Sequence, residues 1–128
     1  MGKSKGFTLI ELLAVIVILA VILSITVPSV VSLIKDSTKQ SFVLDTKNVL
    51  EAINNKRLKN INFDPTSINE TTLESTLDIA SDNYQTITVT VVSDEVHITI
   101  VGKNKWAGFT TCGTEDEVSV VEGSTICS

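Results

Sequence analysis

One carboxylate at the head of a long uncharged run constrains this chain more than any other feature. Glu11 is followed by 23 consecutive uncharged residues, Leu12 to Ile34, most of them Leu, Ile, Val or Ala. About 20 such residues are enough to cross the hydrocarbon core of a bilayer as a helix. A soluble core helix has no use for an apolar segment of this length. A secretory signal has a shorter one, of about 7 to 15 residues, with a small-residue cleavage site after it, and none stands out here. A carboxylate at the centre of a membrane helix costs about 2.5 to 3.5 kcal/mol, so such a group is ordinarily paired or functional. Glu11 follows Phe7 by four residues, about 6 Å along a helix, and a new amino terminus at Phe7 would set a cation beside it. Lys3 and Lys5 precede the run. The bias of positive residues toward the cytoplasmic side puts that end inside and the remainder of the chain outside.

The stretch Gly6-Phe7-Thr8-Leu9-Ile10-Glu11-Leu12-Leu13 resembles the class III signal of type IV pilins and pseudopilins: a short basic leader ending in glycine, then phenylalanine, then glutamate four residues on, then an apolar helix. That family also tends to carry a proline twenty-one residues after the phenylalanine, and Pro28 stands there. Ala20 departs from the pattern where many members have a glycine that loosens the helix. The resemblance implies cleavage between Gly6 and Phe7 by a prepilin peptidase, methylation of the new Phe7 nitrogen, and a role for Glu11 in aligning a subunit that enters a filament. Residues 1–6 would be the leader, 7–34 the membrane-spanning and filament-core half of a helix, 35–60 its amphipathic half, and 61–128 a β-rich head with a disulfide loop at its C-terminal end. The expected function is that of a structural pilus subunit serving adhesion, aggregation, motility or DNA uptake. Its partners would be further copies of itself in a helical homopolymer, an inner-membrane assembly platform with its motor, minor pilins, and the membrane before assembly. A pseudopilin of a secretion or competence system is the alternative, and a single-pass tethered binding domain a more distant one.

The overall charge of −5 becomes −7 without Lys3 and Lys5, with 8 basic residues against 15 acidic. An acidic exterior lacks the clustered Lys and Arg that neutralise phosphates, so no nucleic-acid surface is indicated. From Ile34 to Leu58 there is no Pro or Gly, and Ile34, Phe42, Val49 and Ile53 form an apolar stripe opposite Lys35, Asp36, Lys39, Asp45, Lys47, Glu51 and Lys56. The helix is therefore predicted to run from Phe7 to about Leu58, bent at Pro28, with its second half laying one face on a globular head. Asp64-Pro65 breaks it. A short helix is expected around Glu70 to Ile79.

Thr86 to Val92 and Val96 to Val101 alternate polar and apolar residues at strand period, with Ser93-Asp94-Glu95 as the turn between them. Ile87, Val89 and Val91 from one strand, with Val96, Ile98 and Ile100 from the other, would face the core. The other side is mostly threonine. Further strands at Phe109 to Cys112 and Val118 to Val121 complete a small antiparallel sheet. The expected class is α+β, a long N-terminal helix with a hydrophobic first half packed against an antiparallel β-sheet head.

Cys112 and Cys127 are the two cysteines, and an extracytoplasmic position favours a disulfide over two free thiols. In many members of the resembled family such a pair encloses a C-terminal surface loop. No catalytic constellation emerges. His97, the single histidine, falls on the threonine face as a solvated strand residue. Glu115-Asp116-Glu117, near Asp94-Glu95, has oxygen ligands suited to calcium but no EF-hand spacing, and an acidic turn is ordinarily just solvated. Trp106 reads as half-buried packing beside the sheet. Neither a cofactor nor a metal is expected.

Overall fold

The computed structural model describes Gly6 and residues 8–123. The chain divides into two compact units at Asp36 and Ser37. Helix α1 (Leu9–Lys59) contributes to both.

In the first unit α1 carries no charge from Leu12 to Ile34, and none of the unit's described residues is buried. By length and composition this helix can cross a membrane. The proline expected to bend it does not end it, since α1 is continuous through Pro28. Pro28 has no amide hydrogen for the Ser24 carbonyl one turn back. The hydroxyls of Ser24 and Thr26 fold onto the carbonyls of Val21 and Ile22, which satisfies these polar side chains without water.

In the second unit α1 lies against a four-stranded antiparallel meander, β1 (Tyr84–Val92), β2 (Glu95–Gly102), β3 (Phe109–Gly113) and β4 (Val118–Glu122), in that spatial order. Phe42, Thr46, Val49, Leu50 and Ile53 recur at helical spacing and are buried. The predicted stripe is thus corrected at its start: Ile34 is 60% exposed. It is corrected in the middle by Thr46, which is fully buried although polar. The Thr46 hydroxyl bonds the carbonyl of Phe42 at 2.9 Å and the hydroxyl of Thr111 at 2.6 Å. A buried hydroxyl left alone costs about 1–3 kcal/mol, and this pairing removes that penalty while fixing α1 on β3.

The β1–β2 hairpin is closed by Ser93 and Asp94, both with positive φ (52° and 68°), between the paired residues Val92 and Glu95. A two-residue turn of this hand matches the twist of its strands, so Glu95 belongs to β2 and not to the turn. Ile87 lies opposite Ile100 and Val89 opposite Ile98, and all four are buried. Val91 is the exception among the predicted inward residues, at 37% exposed, because it sits past the end of the helix-covered area and lines an open groove. The core is completed by Ile68, by Leu73 on helix α2 (Leu73–Leu77), and by Tyr84 and Trp106.

Trp106 is buried, not half-buried. It stacks on Phe42 with ring centroids 4.7 Å apart and on Tyr84 at 5.8 Å. The 3-10 turn Asn104–Trp106 that carries it comes so close to Gly102 that a Cβ there would fall 2.1 Å from the Trp106 carbonyl oxygen. Beside the stack, the Tyr84 hydroxyl donates to the carboxylate of Asp45. Burial pushes the Asp45 carboxyl above the usual carboxylate range, and Lys105 partly offsets this. A raised folded-state pKa means that charging Asp45 opposes folding. Its favourable contribution is complete below the unfolded-state pKa and is lost as pH rises through the folded value. Asp45→Asn is therefore expected to stabilise the head at pH 7, by about 0.5 kcal/mol because the group is partly solvent-screened. The gain should vanish near pH 3.5. Urea melts of both proteins at the two pH values check this.

Candidate functional site

The chemistry this chain can offer lies at the start of α1. Thr8 immediately precedes the first helical residue, and its carbonyl accepts the amide of Leu12 at 3.1 Å. Its side-chain oxygen accepts the amide of Glu11 at 3.3 Å, while the Glu11 carboxylate accepts the amide of Thr8 at 3.2 Å. This is a capping box, two otherwise orphaned amides satisfied reciprocally. The carboxylate also meets the positive end of the helix dipole. Glu11 therefore has a local partner within its own chain. Thr8-x-x-Glu11 before an apolar run is the sequence signature of such a cap.

Gly6 is exposed and outside the helix. Phe7, expected as the new amino terminus, lies outside the described residues, as do Lys3 and Lys5. Pro28 is within α1. Gly6, Thr8 and Glu11 thus sit together at one helix end, and Pro28 is remote from them along the same element. Cys112 is on β3, 8% exposed, and Cys127 lies outside the described residues.

Of the acidic residues singled out in the head, Asp94 and Glu115 are each bound by a side chain of α1. The Arg57 guanidinium donates to the Asp94 carboxylate at 2.7 Å and to its backbone carbonyl at 3.2 Å, clamping the hairpin turn. The Asn54 amide donates to Glu115. Among the described residues, no group of three or more His, Cys, Asp or Glu could hold a metal ion. His97 lies opposite Thr90 on the outer face, partly exposed, with Glu95 3.8 Å away. Asp64 holds its carboxyl below the usual range because the Thr66 hydroxyl and amide both donate to it, which caps the 3-10 turn Pro65–Ser67 after the end of α1.

Residues 1–27 match the family model of the prokaryotic N-terminal methylation motif. No curated protein matches the chain, and no solved structure does. The matched segment takes in Gly6, Phe7, Thr8 and Glu11 and ends at the residue before Pro28. This match supports the resemblance to proteins that carry an N-terminal methylation motif.

Proposed function

We infer that this chain is a structural subunit of the type IV pilin and pseudopilin family, whose work is polymerisation. The observation that carries the reading is the agreement in register between the methylation motif at residues 1–27 and a helix that opens at Leu9, two residues past the junction where the motif implies cleavage. Gly6 is exposed and non-helical, as a peptidase requires of its substrate.

The proposed sequence of events starts with a precursor held in the membrane by the apolar half of α1, its N-terminus cytoplasmic and its head outside. Prepilin peptidase hydrolyses the Gly6–Phe7 bond, and the freed Phe7 amine is methylated. Loss of residues 1–6 leaves a filament-core segment at 7–34, an amphipathic segment at 35–60 and a head at 61–128. An assembly platform and motor, with minor pilins, then move subunits from lipid into a bundle in which helix contacts replace acyl chains. In that water-poor core the Glu11 carboxylate neutralises the methylammonium of Phe7 on a neighbouring copy, where an unpaired charge would be costly.

Within the family we favour a pilin that builds surface fibres for adhesion, aggregation, motility or DNA uptake. The acidic head and a Cys112–Cys127 loop support this over a pseudopilin. The proposed disulfide is supported in turn by the burial of Cys112. Closing a loop of about 15 residues stabilises by roughly 3 kcal/mol in the chain-entropy model.

The reading is tested by Gly6→Leu. In cells with the peptidase, this variant is expected to accumulate as a membrane-held precursor about 0.6 kDa heavier than the mature chain, the mass of six leader residues. Immunoblots should show no sheared fibre. Normal maturation of Gly6→Leu would contradict the assigned cleavage point.

A further inference from the structure

The head carries two exposed patches that combine apolar side chains with charges of opposite sign. The first is an open groove of about 850 Å³ lined by Leu58, Ile61 and Val91, which are 86%, 95% and 37% exposed. Four carboxylates line this groove (Asp94, Glu95, Glu115 and Asp116) against one guanidinium, Arg57, which is already bound to Asp94. The second patch lies farther back along α1, where Leu44, 62% exposed, stands with Val43 and Val120 between Lys39 and Lys47. No carboxylate lines it, although Lys39 reaches Glu122 at 3.2 Å.

Neither patch complements itself. Two acidic grooves brought together would oppose eight carboxylates with two guanidiniums, and like charges across a contact cost several kcal/mol. The patches do complement each other, apolar side chain to apolar side chain and ammonium to carboxylate. Within one chain they cannot meet: Leu44 and Leu58 are 14 residues apart on one helix, about 21 Å. A contact between unlike patches on identical molecules is heterologous, and when it does not close into a ring it propagates as an open helical polymer. It would also place the lysines where a chain of net charge −5 most needs them.

We propose that Leu44 and Lys47 of one copy dock into the Leu58, Ile61 and Val91 groove of the next, with Lys47 facing the carboxylates that line it. The inference rests on the filament reading, and names the head-to-head contact that the reading leaves open. It makes the heads, and not only the apolar helices, selective for their own kind.

The test uses the full chain in cells that assemble it, with sheared filaments as the readout. A chain carrying both Leu44→Cys and Ile61→Cys should give a ladder of covalent multimers on mild oxidation, whereas either substitution alone should give none beyond wild type. Both positions are exposed, so folding is unaffected. Lys47→Glu and Asp116→Lys should each reduce filament yield about tenfold, and their combination should restore much of it. Wild-type filaments without a ladder in the double cysteine chain, or undiminished yield from both charge variants, would overturn the docking contact and leave the filament reading standing. Covalent dimers from Ile61→Cys alone would overturn it in favour of a two-fold contact. A wild-type chain that never polymerises would overturn both.

Discussion

Replacing Glu11 with alanine is expected to leave a cleaved, membrane-held protein with a folded head, while sheared filament falls by more than tenfold. The carboxylate has two duties that can be separated. Within its own chain it accepts the Thr8 amide, and losing a cap of this kind costs about 0.5–2 kcal/mol. That loss is confined to the first turn of α1, far along the chain from the buried residues that begin at Phe42. Between chains, in the filament reading, Glu11 neutralises a methylammonium in a water-poor core, and stranding one partner of a buried ion pair costs about 3–5 kcal/mol. At about 1.4 kcal/mol per factor of ten, the second loss is enough to stop assembly. Thr8→Ala separates the two, because it removes the hydroxyl that accepts the Glu11 amide and leaves the carboxylate in place. It should reduce filament yield only a few-fold. Equal loss in both variants would make the cap itself the critical feature, and abundant fibres from Glu11→Ala would refute the intermolecular role.

Trp106→Ala is expected to destabilise the head by about 3–5 kcal/mol, the range for deleting a buried aromatic side chain. Trp106 fills the space between Phe42 on α1 and Tyr84 on β1, so its removal opens a cavity where helix and sheet meet. Domains of this size have about 5–15 kcal/mol of stability in total. The variant should therefore unfold at much lower urea than wild type, and lose near-ultraviolet circular dichroism at the same concentration as far-ultraviolet signal. Trp106→Phe, which retains one stacked ring, should recover more than half of the loss. A midpoint unchanged in Trp106→Ala would remove the stack from the account of what holds α1 to the sheet.

The elements of this fold that announce themselves by period are legible in the chain. Strand alternation in Thr86 to Val92 and Val96 to Val101 corresponds to the paired β1 and β2, and the apolar run corresponds to the exposed half of α1. What periodicity misses is whatever depends on a partner distant in sequence. Thr46 looks like a surface residue until Thr111 comes to meet it from β3. Trp106 has no period at all, and its burial follows from a glycine at position 102 that lets a 3-10 turn approach. Val91 obeys the alternation and is still half exposed, because α1 ends at Lys59 and leaves that end of the sheet open. At the N-terminus, the spacing of Glu11 from Thr8, and not its charge alone, carries the local structure. A carboxylate explained by a missing cation had already found an amide three residues away.

The central claim, that this chain is cut, methylated and exported into filaments, is most directly tested by the intact mass and N-terminal peptide of protein sheared from the cell surface, measured with and without reductant. The account predicts a chain beginning at N-methylated Phe7, two hydrogens lighter before reduction. A chain retaining its leader and recovered only from membranes would contradict it, and would return Glu11 to the single duty of capping its own helix.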